Sequence, residues 1–132
     1  MARTLGILKP DCIRRKLMGT VIKRLEEEGF TIIDVRFTQL SVEKAERFYA
    51  IHKERPFFGD LIEFMTSGPV FVMHLEHENA VRHLRDVIGA TDPAEADPGT
   101  IRGQLAESKQ NNLVHASDSD ENANTEIHYF FQ

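Results

Sequence analysis

Residues 70–75, Val-Phe-Val-Met-His-Leu, are apolar almost throughout and stand directly behind the breaker Ser67-Gly68-Pro69. A short run of this kind, bounded by turn residues, belongs to a strand in the middle of a sheet. Around it the chain offers strand and helix patterns in a definite order. Residues 4–8 read as a first strand, closed by Lys9-Pro10-Asp11. Leu17, Val21, Ile22 and Leu25 share one helical face, and Gly29 supplies a stop. Residues 30–37 alternate, with Ile33, Val35 and Phe37 on one side and Asp34 and Arg36 on the other, which predicts a half-buried strand. Ser41 is placed to cap a short helix bearing Ala45, Phe48 and Tyr49. After a turn at Arg55-Pro56-Phe57-Phe58, Leu61, Ile62, Phe64 and Met65 suggest another. Behind the central strand, Asn79 is placed to cap a helix with Val81, Leu84 and Ile88 inward, stopped at Gly89. Residues 90–111 hold Pro93, Pro98, Gly99 and Gly103 without a period, and a loop that long in a small domain is usually functional or disordered. A short last strand, residues 112–115, leads to a helix capped by Ser117 or Ser119, with Ile127, Phe130 and Phe131 on its buried side.

With its insertions removed, the order is βαββαβ. It predicts an α+β, ferredoxin-like domain spanning residues 1–132, a four-stranded antiparallel sheet with helices on one face. No linker or repeat divides the chain, and 132 residues suit one core. Such a fold does not specify chemistry.

The net charge of −5 argues against a general nucleic-acid binder, which would carry a basic face. No apolar run is long enough to cross a membrane. Cys12 is the only cysteine, so no internal disulfide can form, and the expected setting is the reducing cytoplasm. An acidic chain can still bind a phosphorylated small molecule if it holds a local cluster of cations. The common phosphate cradles, G-x-x-x-x-G-K-[ST] and G-x-G-x-x-G, are missing, as is the protein-kinase signature set.

The strongest local feature is Asn112-Leu113-Val114-His115-Ala116-Ser117-Asp118-Ser119. A histidine at a strand end, just before a polar helix start, can face a cleft. Neutral imidazole is a nucleophile near pH 7, and attack on phosphorus gives a phosphohistidine that hands the group on. One ring nitrogen must be held to set the tautomer. Glu126, two turns along the next helix, could do so directly or through a hydroxyl. The alternative is a capped strand end with a solvated histidine. Lys9, Arg85 and Arg102 sit beside turn residues, as does Thr91, and could form the cation cluster or be ordinary surface residues. Tyr49 and Phe57 offer aromatic faces for a base, although such residues more often belong to a core. His74 and His77 lack a third firm zinc ligand. His52, His83 and His128 read as surface residues, and Asp118-Ser119-Asp120-Glu121 as a helix N-terminal turn rather than a calcium loop.

These stretches, together with Leu8-Lys9-Pro10-Asp11, Thr66-Ser67-Gly68-Pro69-Val70, Gly89-Ala90-Thr91-Asp92-Pro93-Ala94 and Pro98-Gly99-Thr100-Ile101-Arg102-Gly103, occur in the order found in nucleoside diphosphate kinases, and the chain resembles that family over nearly its whole length. The resemblance implies ping-pong transfer of a γ-phosphoryl group from a nucleoside triphosphate to a nucleoside diphosphate through His115. It implies that Lys9, Tyr49, Arg85, Thr91, Arg102 and Asn112 hold phosphates and sugar, that Phe57 stacks the base, and that Ser117 and Glu126 support the histidine. It further implies Mg2+ bound chiefly through the nucleotide phosphates, and a homo-oligomer, tetramer or hexamer. Membranes and specific nucleic acids are not expected partners. The sequence departs from the family at Ala116, where glycine usually follows the histidine, at Asp92, where asparagine is common, and at Gln104-Leu105. Cys12 replaces a small residue and is open to oxidation if exposed. The tail, ending at Gln132, is shorter than in many relatives, which leaves assembly size open. Two other readings compete: a nucleotide-binding regulatory protein of the same fold with weak turnover, and a non-catalytic ferredoxin-like interaction domain.

Overall fold

The structure, a computed structural model, describes residues 1–131; Gln132, the last residue of the expected domain, lies outside the described residues. Its strands are β1 (Ala2–Leu8), β2 (Thr31–Thr38), β3 (Val70–His77) and β4 (Val114–Ala116). They form one antiparallel sheet in the order β2-β3-β1-β4, the ferredoxin-like order. The apolar 70–75 run lies in the central β3, as its composition demands. β1 is central too, with Ile7 opposite Val72 on one side and His115 on the other.

Helices cover both faces of this sheet, not one. Gly6 and Leu8 alternate with Leu5 and Ile7 along β1, so each face of the sheet receives its own set of side chains. On one face Leu8, Met73 and Leu75 pack with Val21 and Leu25 of α2 (Met18–Glu27) and with Leu84, Val87 and Ile88 of α5 (Ala80–Ile88). On the other, Leu5, Ile7, Val70 and Val72 pack with Ala45 of α3 (Val42–Phe48), Ile62 and Met65 of α4 (Phe58–Met65), and Phe130 of α7 (Asp120–Phe130). The elements that looked like insertions therefore close the second face.

Several local expectations shift. Lys9-Pro10-Asp11 does more than end β1: Pro10 opens the five-residue α1 (Pro10–Arg14), where its fixed φ and missing N–H cost nothing. Ile33, Val35 and Phe37, expected to form a covered side of the strand, stand exposed at 42%, 43% and 52%. β2 is an edge strand that packs substantially on β3 alone, and a bulge lies between Ile32 and Asp34. Asn79 occupies the N-cap position of α5 without a side-chain cap; its backbone N–H instead donates to His77 Nδ1 at 2.9 Å. The 90–111 stretch contains a helix, α6 (Ile101–Leu105), capped by Thr100, whose hydroxyl accepts from Gly103 N at 3.0 Å. Five residues are too few to show a period. The final strand lies two residues later than expected, and Ser119, not Ser117, caps α7. Cys12 is fully buried, and burial pushes its thiol up to about 12, so it is not open to oxidation.

Candidate active site

The site is built on the junction of β1, α1 and β4. The Lys9 backbone N–H donates to Leu113 O at 2.8 Å, and Asp11 Oδ2 accepts from Leu113 N at 3.1 Å. Leu113 is thereby held at φ 75°, the left-handed region that a branched residue rarely adopts. Such a conformation persists only when its surroundings over-determine it, and here two hydrogen bonds and complete burial of the side chain do so. The consequence is a chain that enters β4 already turned, two residues ahead of His115.

His115 is mostly buried. Its Nε2 lies 2.9 Å from Glu126 Oε1, on α7. Ser117 Oγ donates to the same oxygen at 2.7 Å. Of the two open routes from Glu126 to the ring, the direct one is present, and the hydroxyl braces the carboxylate. A carboxylate only accepts, so Nε2 carries the proton and Nδ1 keeps its lone pair. The rings of Phe48 and Tyr49 meet the imidazole edge-on, with centroids at 5.3 and 6.0 Å.

Three cations gather in front of this histidine. Lys9 Nζ donates to Asn112 Oδ1 at 2.7 Å, and Asn112 Nδ2 donates to Thr91 O at 3.2 Å. Arg102 donates to the carbonyls of Val114 at 2.6 Å, Gly89 at 2.9 Å and Asn112 at 3.3 Å. Arg85 reaches Ala116 O at 3.4 Å. Two glycines make the loop fit: Gly89 sits at φ 97°, where a Cβ would meet Thr100 Oγ1 at 2.5 Å, and a Cβ on Gly103 would lie 2.0 Å from Asp97 O. None of the three cations forms a salt bridge among the described residues. Burial, aided by the charge of Arg102, lowers Lys9 to about 8, against the opposing pull of Asp11. Burial and the neighbouring Arg85 lower Arg102 to about 10. Lys9 and Arg102 are buried and Arg85 stands exposed beside them; an anion bound there would offset both the burial and the mutual repulsion that lower the two buried groups.

In front of the cluster opens a cavity of about 590 Å³. His115, Lys9, Arg85, Arg102 and Asn112 line it together with Thr91, Tyr49, Phe57 and Glu126. Every expected site residue thus converges there except Ser117, which is buried behind Glu126. Tyr49 Oη is buried without a partner, a donor left over for a ligand. Phe57 is 48% exposed, its ring free at the mouth. Sequence reasoning missed Phe48, Lys109, Gln110 and Asp118, which also line the cavity. Phe48 sits next to Tyr49 in the chain, and Lys109 and Gln110 just precede Asn112; those adjacencies were the available signal. His52, read as a surface residue, is half-buried in the cavity wall, its ring 5.6 Å from Phe57. Ala116 pairs with Gly6 in the β-ladder and has no left-handed backbone, so its methyl introduces no strain. Asp92 Oδ1 accepts from Ala94 N at 3.0 Å, bracing the loop start.

A histidine with one nitrogen fixed and the other free, sharing a cavity with the buried Lys9 and Arg102 and the exposed Arg85, defines a phosphoryl-transfer class of protein on a ferredoxin-like sheet. A family model described as nucleoside diphosphate kinase matches residues 2–132. The chain is 57% identical over 132 residues to the nucleoside diphosphate kinase of Novosphingobium aromaticivorans, covering all of this chain and 94% of that one. It is 56% identical over 131 residues to that of Chlorobium limicola, covering 99% and 94%. Among solved structures, the Aquifex aeolicus nucleoside diphosphate kinase superposes with a TM-score of 0.97 at 44% identity, covering 99% and 95%. A halophilic nucleoside diphosphate kinase from Halobacterium salinarum in complex with CDP does so at 0.95 and 41%, covering 98% and 87%. The chain belongs to the nucleoside diphosphate kinase family, and is a phosphotransferase that acts on nucleotides.

Proposed function

We propose that this chain transfers the γ-phosphoryl group in two half-reactions through a phosphohistidine on Nδ1 of His115. The observation that carries this reading is the Glu126 carboxylate on Nε2, which leaves Nδ1 as the basic nitrogen facing the cations. In the first half-reaction Nδ1 attacks the γ-phosphorus, the P–N bond forms, the bond to the β–γ bridging oxygen breaks, and the nucleoside diphosphate departs with that electron pair. The ring gains positive charge as it does so, and Glu126 stabilises that charge while Ser117 keeps the carboxylate aimed. In the second, a diphosphate's terminal oxygen takes the phosphoryl group back and Nδ1 recovers its lone pair. Lys9, Arg85 and Arg102 neutralise the phosphate oxygens, Asn112 and Thr91 hold phosphate and sugar, Tyr49 supplies its spare hydroxyl, and Phe57 stacks the base. Ala116 lies in ordinary strand geometry, which favours turnover over the regulatory reading.

Magnesium fits this cavity as a companion of the substrate. Among the described residues no three His, Cys, Asp or Glu side chains converge on a metal position. Phosphate oxygens would be its main ligands, with Asp118 the lining carboxylate not engaged by His115, and its chemistry there is neutralisation of phosphate charge. We further propose a single domain over the whole chain, a cytoplasmic setting and a homo-oligomer, tetramer or hexamer. The exposed apolar β2 edge supports the last, since an open edge of this kind invites pairing.

The test is retention of label from γ-labelled ATP with magnesium. Acid-labile, alkali-stable label that moves to added GDP, and falls below about one ten-thousandth in His115→Ala, supports the mechanism. Nucleotide binding without retained label would favour the regulatory reading.

A further inference from the structure

Arg102 is carried to the cavity by α6, and a helix of five residues does not hold itself in place. Its Thr100 cap is internal, and Ile101 is its one fully committed core residue. Among the described residues, only two hydrogen bonds reach the backbone of residues 97–106 from other elements, and both come from arginines. Arg24, on α2, donates from Nη2 to Gly99 O at 3.0 Å, one residue ahead of the cap. Arg15, at the end of α1, donates from Nη1 to Leu105 O at 2.7 Å, a carbonyl that α6 ends too soon to pair. The two guanidiniums thus grip α6 at its two ends, and neither lines the cavity.

Arg24 is itself braced. Its Nε donates to Glu28 Oε2 at 3.0 Å, and Glu28 Oε1 lies 3.2 Å from His83 Nε2 on α5. The hydrogen bond from Arg24 holds the Glu28 carboxyl below the usual carboxylate range, so the pair is charged at neutral pH. The planar fork of an arginine reaches a carboxylate and a carbonyl together, which the single point of a lysine does not. Arg15 is exposed and forms no salt bridge among the described residues, so its hold is the weaker.

We propose that Arg24, assisted by Arg15, is a positioning residue for nucleotide binding: it fixes α6 from outside the cavity so that Arg102 meets the phosphates already in place. The inference rests on the phosphate role given to Arg102 above. An α6 released from these bonds must be ordered again when nucleotide binds. That cost falls equally on the bound ground state and the transition state, so it raises KM and leaves kcat alone.

The experiment is steady-state transfer from ATP to GDP with magnesium, KM and kcat being read separately. Arg24→Gln is expected to raise the KM for GDP about fivefold and Arg15→Gln about twofold, with kcat unchanged in both. Lys23→Gln, which removes the same charge from an exposed neighbour, should change neither. In an Arg102→Gln background, its fold checked by circular dichroism, Arg24→Gln should raise KM no further, because its effect passes through Arg102. Hydrogen exchange should quicken at the amides of Gln104 and Ala106 in Arg24→Gln, and not in β1 or β3. A native KM in Arg24→Gln overturns the proposal, as does an equal rise in Lys23→Gln, which would make the effect one of net charge. A fall in kcat at unchanged KM, or a full further rise in the Arg102→Gln background, overturns it as well. Faster exchange throughout the chain does the same, since Arg24 would then serve general stability. A native KM for Arg102→Gln alone would instead overturn the phosphate role of Arg102, an outcome distinct from the others.

Discussion

The two edges of the sheet are handled in opposite ways. β4 is three residues long, and its neighbourhood is polar, buried and hydrogen-bonded. β2 is eight residues long, bulged, and shows Ile33, Val35 and Phe37 to solvent. The carbonyls of an edge strand need partners. At β4 the partner is a side chain: Arg102 donates to Val114 O and Asn112 O, standing where the next strand would be. The same guanidinium faces the cavity, so closing the edge and charging the site are one structural act. β2 has no such closure among the described residues. One edge is therefore committed to chemistry within the chain, and the other stands open.

The largest effect is expected at Arg102. Arg102→Ala removes the donors from three carbonyls that the loop and β4 depend on, and should cost about 3 kcal/mol of stability, read by urea denaturation. A loss under about 1 kcal/mol would mean that the guanidinium serves the ligand only and does not close the edge. Arg102→Lys keeps the charge but cannot reach three carbonyls at once, and should recover less than half of the loss.

Next in size is the carboxylate that fixes the histidine. Glu126→Gln keeps an acceptor for Nε2–H but loses the charge that balances the ring during transfer. About a hundredfold fall in kcat with little change in KM is expected in steady-state assays. Ser117→Ala, which only releases the carboxylate from its brace, should cost about tenfold. An unchanged kcat for Glu126→Gln would show that the contact merely fills space.

Much of the β4 side was legible in the sequence because its chemistry is carried by contiguous motifs. Lys9-Pro10-Asp11, the segment from Asn112 to Ser119, and Arg102 between Gly99 and Gly103 each kept their meaning when the chain folded. The six-residue apolar run placed β3 centrally for the same reason. What stayed hidden were relations across distance. Alternation at 30–37 shows that two sides of a strand differ, but not which side is covered, and the bulge at Ile33 shifts the register besides. α6 is too short for periodicity, although Thr100 three residues ahead of Gly103 is a capping arrangement that could have announced it. His52 reads as surface because nothing adjacent in sequence shows that the turn carrying it folds against Phe57.

The β4 side should also respond to pH in a way that β2 cannot. Burial holds Lys9 down to about 8 in the free protein. A bound polyphosphate raises that value, so above about pH 8 the complex holds more protons than the free protein does. By linkage, affinity must then fall as pH rises, approaching tenfold per unit well above the free value and levelling below it. Titration calorimetry of ADP in buffers of different ionisation enthalpy should show proton uptake at pH 8.5 and nearly none at pH 7. Equal uptake at both would remove Lys9 from the phosphate contacts.

The smallest effect on the folded chain is expected at β2. Val35 and Phe37 are about half exposed, so Val35→Lys should change the stability of an isolated chain by no more than about 0.5 kcal/mol. If the edge is an interface, the same substitution places a charge in each copy's contact, and like charges brought together there should dissociate the assembly. Sedimentation of Val35→Lys beside the native protein decides this: a native oligomer that becomes smaller, while each chain still takes up label on His115, assigns β2 to assembly and β4 to chemistry. A native assembly that survives Val35→Lys unchanged would leave the apolar edge unconnected with self-association, and the contrast between the two edges would reduce to one of length and polarity.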